Sequence, residues 1–374
     1  MKTLENLNLN RRKILLRIDV NSPLNGNKVV ETPRFKAHAE TIKKLMEKNA
    51  KIVILAHQGS KGKKDCISLK QHSKILNKYT KVKFINDIIG KRAIKEIYNI
   101  KNGQVLLLEN IRFLKEEFNP SLKNRVVNVL SPLFDYYIND AFSVMHRSQT
   151  SIVSFPKIMK NAIGPNAYQE LKSADKIKNK IKNCLFILGG NKFDISLLIN
   201  KNNKILTTGI ISLIALQVKG YNLGKIYDYL KKYSEIRNLI KKSINNIKTP
   251  TDLALNVNGK RKEISLDELP TKYEIWDIGK QTVNEYKKEI KKAKTIFFKG
   301  VCGMEQYKNF SYGTKEILKS IAKSKAYTVI AGGSSAEAVD KYNLRKKFGY
   351  VSLSGGALVH YLAGEKLPGL EVLN

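Results

Sequence analysis

The feature that most restricts the fold of this chain is a regular alternation of short apolar runs with segments of helical periodicity. In the first half, the runs that indicate strands are KILLRIDV (13–20), KIVILA (51–56), KVKFIN (81–86), GQVLLLEN (103–110) and DYYIND (135–140). Between them, residues 35–49 and 68–79 carry apolar side chains at helical spacing. Strands that alternate with helices in this way predict a parallel sheet covered by helices on both faces.

The same pattern returns after an interruption at 154–180, where Pro156, Gly164 and Pro165 punctuate an otherwise helical segment. The strands indicated in the second half are 183–190, 204–209, 252–257, 274–279, 294–300, 326–333 and 349–356. A chain of 374 residues is too long for one small core, so two domains are expected. The sequence therefore predicts an α/β protein of two doubly wound parallel-sheet domains, joined by a hinge helix at the interruption.

Composition supports a globular protein, with 42% hydrophobic and 27% charged residues. Cys66, Cys184 and Cys302 are too far apart to form a metal-binding spacing or a disulfide framework, which favours a reducing compartment. The segment MKTLENLNLNRRK at the start of the sequence has no apolar core of a signal peptide, and no apolar stretch is long enough for a membrane span. We therefore expect a cytoplasmic protein that does not enter membranes.

The formal net charge of +36 has two interpretations. It could indicate a nucleic acid or another anionic surface as partner. It could also reflect a Lys-rich coding bias that places lysine on every solvated face, as in KKEIKKAK (287–294). The lysines are spread along the whole chain without a basic tail or a recognised nucleic-acid motif, which favours the second interpretation. No specific nucleic-acid partner is therefore expected.

Polar and cationic side chains follow the predicted strands of the first half at the points where those strands end. They are Asp19, Asn21, Arg34, His57, Arg112, Asn139, Asp140, His146 and Arg147. Only 11 of the 68 basic residues are arginine, so lysine is the usual cation of this chain. Where arginine occurs instead, it indicates that the planar five-donor guanidinium is needed and not only a positive charge. At one edge of a parallel sheet these groups would form a cationic cluster, which favours a small phosphorylated acid as ligand. The alternative is that each arginine forms a surface ion pair.

Glycine pairs end several predicted strands of the second half. Gly189 and Gly190 precede Lys192, and Gly332 and Gly333 precede two serines, of which Ser334 or Ser335 is expected to be a helix N-cap. Glycines at such positions let backbone N–H groups approach a phosphate, which favours a nucleotide phosphate chain as ligand. The alternative is ordinary strand-to-helix turns. The sequence contains neither a Walker motif nor the dinucleotide fingerprint.

Ordered motifs along essentially the whole chain resemble those of the phosphoglycerate kinase family, in its archaeal branch. RIDVNSP (17–23) is similar to the family's RVDFNVP, and Arg34 stands where the family's next arginine lies. The remaining motifs are LAHQG (55–59), LLLENIRFLKEE (106–117), INDAFSVMHRSQTS (138–151), LGGNK (188–192), WDIGKQT (276–282) and GEKLPGLEVL (364–373). The two motifs that contain Arg112 and Arg147 are the most specific of these.

The resemblance implies reversible phosphoryl transfer between 1,3-bisphosphoglycerate with ADP and 3-phosphoglycerate with ATP, in glycolysis and gluconeogenesis, with Mg²⁺ bound to the nucleotide. It implies a 3-phosphoglycerate-binding domain at 1–156, completed by a returning tail at about 360–374, and a nucleotide-binding domain at 157–359. Arg34 and Lys192 would be catalytic. The substrate-binding residues would be Asp19, Asn21, Arg34, His57, Gln58, Gly59, Ser60, Arg112 and Arg147. The nucleotide-binding residues would be Gly189, Gly190, Lys192, Gly209, Gly300, Gln306, Gly332, Gly333, Ser334 and Ser335.

The sequence departs from the family pattern mainly in its second half. Ser196 stands where bacterial and eukaryotic members have a lysine, and Lys299 replaces an asparagine of the family. Gln306 aligns with the ribose-binding glutamate. Ser334 replaces the metal-linked aspartate, so the metal ligands are unknown and the nucleotide phosphates would hold most of the Mg²⁺. Ser60 replaces a substrate-binding arginine in the first half. Two alternatives follow: a weak or inactive homologue that binds phosphoglycerate, and a basic nucleic-acid-binding protein on the same fold.

Overall fold

The computed structural model describes residues 1–180, 183–190 and 203–373. The chain divides into two compact units, of which the first comprises residues 1–172 with the C-terminal residues from Glu365 and the second comprises residues 173–364. The C-terminal segment returns to the first unit as expected, where the Gly369 N–H donates to the Met145 carbonyl over 2.8 Å. The boundary predicted at 156 lies too early, because a strand at Asn161–Ile163 pairs into the first sheet.

The first unit is built on a six-stranded parallel sheet of order β5-β6-β4-β1-β7-β8. Its strands are β1 (Lys13–Arg17), β4 (Lys51–Leu55), β5 (Lys83–Phe84), β6 (Val105–Leu107), β7 (Tyr136–Asn139) and β8 (Asn161–Ile163), and a small antiparallel hairpin adds β2 (Leu24–Asn25) and β3 (Lys28–Val29). The central strands β1 and β4 are buried apart from their first residues, as expected for a sheet covered on both faces. Their apolar side chains, such as Ile14 and Ile52, form the core with helix residues such as Phe35.

The helices of the first unit include the two predicted at 35–49 and 68–79. The helices are α1 (Pro33–Glu47), α2 (Lys70–Leu76), α3 (Lys91–Asn99), α4 (Arg125–Leu130), α5 (Thr150–Val153), α6 (Phe155–Ile158) and α15 (Pro368–Glu371), with 3-10 turns at 4–6, 111–113, 115–118, 131–133 and 142–144. Helix α7 (Pro165–Lys178) begins in the first unit and contains the boundary to the second.

The second unit contains another six-stranded parallel sheet, of order β11-β10-β9-β15-β16-β17. Its strands are β9 (Cys184–Leu188), β10 (Ile205–Thr207), β11 (Ile247–Lys248), β15 (Thr295–Lys299), β16 (Tyr327–Ala331) and β17 (Tyr350–Ser352). The helices of this unit are α8 (Gly209–Val218), α9 (Tyr227–Leu230), α10 (Ser234–Ser243), α11 (Lys280–Lys292), α12 (Tyr312–Lys323), α13 (Gly333–Lys341) and α14 (Gly356–Leu362), with 3-10 turns at 224–226, 244–246, 266–268, 308–310 and 345–347.

A separate three-stranded antiparallel sheet in the second unit corrects part of the sequence prediction. Residues 252–257 and 274–279 were expected to continue the parallel pattern. The strands found there, β12 (Asp252–Val257) and β14 (Glu274–Ile278), belong to neither parallel sheet. They form an antiparallel sheet with β13 (Lys260–Ser265), in the order β13-β12-β14. The cause is a two-residue turn in which Asn258 and Gly259 both have positive φ, of 51° and 80°. An Asn-Gly turn of this kind joins antiparallel strands.

None of the helices in the described ranges has the length and apolar character needed to cross a membrane.

Candidate functional site

Most of the polar residues singled out in the first half follow the ends of the strands β6, β4, β1 and β7, which are neighbours in the sheet. Asn139 is the last residue of β7, and Arg34 lies in the first turn of α1. Because these strands are parallel, their carboxyl ends share one edge. We call the residues gathered at this edge the first-unit site. It consists of Asp19, Asn21, Arg34, His57, Arg112 and Arg147.

Asp19 organises the centre of the first-unit site. Its carboxylate accepts hydrogen bonds from Arg34 Nη1 at 2.6 Å, from the Asn21 N–H at 3.0 Å and from the Ser143 hydroxyl. Burial opposes ionisation of this carboxyl, but Arg34, His57 and the hydrogen-bond donors outweigh it and hold the pKa of Asp19 far below its usual range. Asp19 is therefore an anion that fixes Arg34 at the sheet edge. Arg34 Nη1 also donates to the Asn21 carbonyl over 3.2 Å.

Arg17 lies beneath His57, and the sequence prediction missed it. Its guanidinium is fully buried and donates to Ser151 Oγ at 2.9 Å, to the Ile18 carbonyl and to His57 Nδ1 at 3.0 Å. Burial, together with the positive charge of Arg17, holds the pKa of His57 well below its usual range, so the imidazole is neutral. Arginine at the last position of an apolar strand, in a chain that otherwise uses lysine, was the signal that could have identified it.

The loop after β4 is shaped by Gly59 and Gln58. Gly59 has a φ of +71°, and a Cβ there would lie 2.1 Å from the backbone of Asp65, so only glycine fits. The Gly59 N–H donates to Asn21 Oδ1 over 2.7 Å. Gln58 is buried and exchanges two hydrogen bonds with the backbone of Ser22, at 2.9 and 3.0 Å. Its predicted contact with substrate therefore lacks support, and Gln58 holds the loop in place.

Ser60 is exposed at the tip of the same loop, where its N–H donates to Asp65 Oδ1 over 3.0 Å. Lys61, which could replace the charge of the family's arginine, places its ammonium 5.1 Å from the centre of the Phe118 ring.

Arg112 carries the strongest indication of a ligand. Asn110 fixes its position by accepting the Arg112 N–H at 3.1 Å, and Arg112 Nη1 donates to the Gly59 carbonyl. The Nε and Nη2 groups are buried and have no hydrogen-bond partner among the described residues. Burial, with the nearby charges of Arg147 and Arg17, lowers the pKa of Arg112 to about 10, so it remains a cation. Two buried cationic donors without acceptors are costly unless an anion binds them.

Arg147 and the two residues at the end of β7 have different surroundings. Arg147 is exposed, and its Nε donates to His146 Nε2 over 3.4 Å. Asn139 is buried, and its Nδ2 group has no partner among the described residues. Asp140 was predicted to join the cationic cluster, and this prediction is wrong. Its carboxylate accepts hydrogen bonds from the N–H groups of Asn166 and Ala167, at 2.8 and 3.1 Å, and so caps α7.

His38 connects Asp140 to the backbone of Asp19, and the sequence prediction missed this residue as well. The Asp19 N–H donates to His38 Nε2 over 3.3 Å, which places the imidazole proton on Nδ1. That proton is donated to Asp140 Oδ2 over 2.9 Å. The start of α7 and the first-unit site are thus joined by one continuous set of hydrogen bonds.

The glycines at the strand ends of the second unit pack directly against one another. A Cβ on Gly189 would lie 2.1 Å from Thr208 Oγ1, and one on Gly300 would lie 2.1 Å from the Gly189 carbonyl oxygen. The N–H groups of Gly189, Gly190, Gly209 and Gly300 all donate within the chain, to the carbonyls of Lys299, Val301 and Cys302 and to the hydroxyl of Ser335. These four glycines therefore allow close packing, and their amides are not available as phosphate donors.

The N-terminus of α13 is open by comparison. A Cβ on Gly332 or Gly333 would meet no atom within 4 Å, and no hydrogen bond in the described part of the chain uses the N–H groups of Gly333 and Ser334. The helix is capped by Gly332, with a φ of +92°, so the prediction of Ser334 or Ser335 as N-cap is wrong. Both serines lie inside the first turn, and Ser335 Oγ instead accepts the Gly300 N–H at 2.9 Å.

Gln306 is exposed and lines a cavity of about 580 Å³ together with Lys308 and Lys341. The neighbouring Glu305 carboxylate accepts hydrogen bonds from the Lys341 ammonium and the Tyr342 hydroxyl, at 3.2 and 2.8 Å. Glu305 is therefore bonded to α13 and the residue after it, whereas Gln306 is exposed. Lys192, which belongs to the predicted nucleotide site, and Ser196 lie outside the described residues.

The described residues contain no group of three or more histidine, cysteine, aspartate or glutamate side chains that could hold a metal ion. Ser334 offers only a hydroxyl at the open start of α13. These residues do not form a protein metal site, so we assign no step to a protein-bound metal.

The chain thus has two α/β units, each built on a parallel sheet, with clustered arginines at the sheet edge of one and an open helix N-terminus in the other, an arrangement typical of phosphotransferases. The family model for phosphoglycerate kinase matches residues 4–365. The phosphoglycerate kinase of Methanothermus fervidus is 38% identical over 99% of this chain and 96% of its own length, and that of Thermoplasma volcanium is 37% identical over 99% and 96%. The crystal structure of phosphoglycerate kinase from Pyrococcus horikoshii superposes with a TM-score of 0.92 at 33% identity, and covers 100% of this chain and 98% of that one. The chain belongs to the phosphoglycerate kinase family, whose members are phosphotransferases of glycolysis.

Proposed function

We propose that the first-unit site binds 3-phosphoglycerate and that the chain transfers a phosphoryl group between its carboxylate and a nucleotide. The observation that carries this proposal is Arg112, whose Nε and Nη2 donors are buried without an acceptor among the described residues. Arg34 and neutral His57 lie at the same sheet edge. Cations with fixed donors suit a ligand that carries both a phosphate and a carboxylate.

Phosphoryl transfer to or from a carboxylate makes modest demands on the protein. An acyl phosphate and a carboxylate carry no proton to move, so no general base is needed. The protein must hold the reacting oxygens in line and neutralise the charge of the transferring group. We assign this role to Arg34, which Asp19 orients, and to Lys192. We place the reaction in the cytoplasm.

We propose that the nucleotide phosphates bind at the N-terminus of α13, where the free N–H groups of Gly333 and Ser334 and the helix dipole favour an anion. Gln306 is exposed in the loop after β15 and is our candidate for the ribose contact. The Mg²⁺ ion would enter as the metal–nucleotide complex, since Ser334 stands in place of a carboxylate.

Replacement of Arg34 by alanine tests the assignment of roles. Arg34→Ala should reduce turnover by at least about 100-fold, as expected for loss of a group that stabilises the transition state, while nucleotide affinity stays unchanged. Arg12→Ala is the matched control, because Arg12 is an exposed arginine of the same unit that pairs with Asp135 at 3.4 Å. Turnover of Arg34→Ala within about threefold of the parent, a loss of under about 1 kcal/mol, would remove Arg34 from the mechanism.

A further inference from the structure

A concentration of tyrosines in the second unit has no role in the proposed phosphotransfer. Four of the 17 tyrosines of the chain lie within the 13 residues YNLGKIYDYLKKY (221–233), interleaved with lysines. Tyr227 and Tyr229 belong to the short helix α9, and Tyr233 immediately precedes α10. An aromatic cluster that serves the core would be buried, yet Tyr227 and Tyr229 are 39% and 47% exposed.

Lysine ammonium groups lie close to all three rings. The Lys232 ammonium lies 3.6 Å from the centre of the Tyr229 ring and 5.0 Å from that of Tyr233, and the Lys231 ammonium lies 5.8 Å from that of Tyr227. Both lysines are exposed. A solvated lysine is easily displaced from a ring, so the exposed rings of Tyr227 and Tyr229 are accessible to another flat group.

Tyr229 and Tyr233 are also held relative to each other. Their ring centres are 5.9 Å apart with an edge-to-face orientation, and the Tyr233 hydroxyl donates to the Tyr229 hydroxyl over 3.2 Å. Rings with fixed positions lose less entropy when a ligand stacks on them. We call Tyr227, Tyr229 and Tyr233 with Lys231 and Lys232 the tyrosine platform.

We propose that the tyrosine platform binds single-stranded nucleic acid without sequence preference. Unpaired bases would stack on the rings while the lysines that now cover them move to the phosphates, as in general single-strand binding. Charge supports this ligand, since residues 221–242 also contain Lys225, Arg237, Lys241 and Lys242, and only two acidic residues, Asp228 and Glu235. Of these cations, Lys225 is paired with Glu274 at 3.7 Å. Asp228 is already paired with Lys231 at 2.7 Å. A duplex would present only phosphates, because its bases are stacked internally.

The test must separate stacking from the charge of the whole chain, because a protein of net charge +36 will bind any polyanion at low salt. Tyr227→Leu with Tyr229→Leu removes two rings and no charge. Tyr98→Leu is the matched control, since Tyr98 is 63% exposed and has the Lys13 ammonium 5.2 Å from its ring centre, in the first unit. The probe is a fluorescently labelled oligo(dT) of about 12 nucleotides, within the usual site size of single-strand binders, and the readout is anisotropy at several salt concentrations.

The double leucine variant should bind the oligo(dT) at least about tenfold more weakly at each salt concentration, because stacking of a single base is typically worth that much. The slope of affinity against salt should not change, since the number of phosphates neutralised is the same. Tyr98→Leu should bind like the parent, and Tyr227→Phe with Tyr229→Phe should retain binding because the rings remain. Binding of a duplex of the same length should be equal in all variants.

Equal oligo(dT) affinity in the parent and the double leucine variant would overturn the proposal, as would the absence of binding by the parent or an equal loss in Tyr98→Leu. If the double leucine variant does not fold, as judged by its circular dichroism, a second comparison decides. Lys231→Gln with Lys232→Gln should weaken oligo(dT) binding more than Lys291→Gln with Lys292→Gln, an exposed lysine pair at the end of α11. Equal losses in these two pairs would show that only diffuse charge is involved and would also overturn the proposal.

Discussion

The buried guanidinium of Arg17 donates to His57 Nδ1 over 3.0 Å, and this contact determines which nitrogen of the imidazole carries the proton. Arginine can only donate, so Nδ1 accepts and the proton resides on Nε2. His57 therefore presents an N–H donor from Nε2, which has no hydrogen-bond partner among the described residues. A neutral donor of this kind can bind an anionic substrate throughout the neutral pH range.

Arg17→Lys should weaken 3-phosphoglycerate binding by about tenfold, or about 1.4 kcal/mol. Lysine has a single nitrogen on a flexible chain and cannot hold Ser151 and His57 together as the planar guanidinium does. Titration calorimetry gives the affinity, and ¹⁵N shifts of His57 give the tautomer, which should become mixed. Arg12→Lys serves as control. An unchanged affinity with a pure Nε2–H tautomer would show that Arg17 has no positioning role.

Arg112→Met should separate ligand binding from stability. We expect 3-phosphoglycerate affinity to fall at least about 100-fold, because a buried charge-assisted pair contributes several kcal/mol when its partner is present. The free energy of unfolding without ligand should fall by less than about 1 kcal/mol, or rise, since the substitution removes two buried donors without partners. Arg125→Met, at an exposed arginine that begins α4, is the control. A large loss of stability with little change in affinity would make Arg112 a structural residue.

Ser334→Asp should restore a carboxylate at the start of α13. If the nucleotide phosphates bind there, affinity for Mg-ATP should rise severalfold and affinity for metal-free ATP should fall, because a carboxylate binds Mg²⁺ and repels bare phosphates. Trp276 is the only tryptophan and stacks on Tyr307 with ring centres 4.7 Å apart, next to Gln306, so its fluorescence provides the readout. Ser234→Asp makes the same change at the first residue of α10. Responses equal to those of this control would place the phosphates elsewhere.

His72 should make the fold sensitive to mild acid. Burial lowers its pKa to about 4, and its Nε2–H donates to Gln58 Oε1 over 2.9 Å. Between pH 6.5 and about 4 the unfolded chain therefore binds a proton that the folded chain does not, so stability should fall with pH by about 3 kcal/mol from this group. Burial raises the pKa of Asp277 to about 6, so as the pH falls this carboxyl binds its proton earlier in the folded chain than in the unfolded chain. Asp277 therefore adds stability over part of the range in which His72 removes it.

Comparison of the parent with His72→Gln isolates this contribution, because glutamine can still donate to Gln58 but does not titrate. Urea unfolding at pH 8 and pH 5 should show a smaller loss of stability in the variant than in the parent, and the value at pH 8 serves as the internal reference. Parallel losses in both proteins would mean that His72 does not control the acid response.

The sequence was sufficient to predict the parallel sheets and the edge at which polar residues gather, because both depend on local patterns. The strand before Arg112 is apolar. Asn110 caps the 3-10 turn that follows this strand, and its side chain accepts a hydrogen bond from the Arg112 N–H. The antiparallel strand β13 was missed because its first four residues, KRKE (260–263), are all charged, although the Asn258-Gly259 turn marked it.

Residues whose roles depend on contacts distant in sequence were not accessible to the same reasoning. Arg17 meets Ser151 across 134 positions, and His38 meets Asp140 across 102 positions, and neither pair has a local motif. The amides of Gly189 and Gly300 were expected to face a phosphate, but close packing between strand ends uses them. Only the three-dimensional arrangement decides whether a glycine serves packing or binding.

The most direct test of the central claim is turnover of the purified full-length chain with 3-phosphoglycerate, ATP and magnesium, coupled to reduction of the acyl phosphate formed. We predict a rate within the ordinary enzyme range of about 1–1,000 per second. Substitution of GTP for ATP in the same assay gives the nucleotide preference. Absence of turnover, with 3-phosphoglycerate still bound by the parent and lost in Arg112→Met, would contradict the claim. The chain would then be a phosphoglycerate-binding homologue that does not catalyse the transfer.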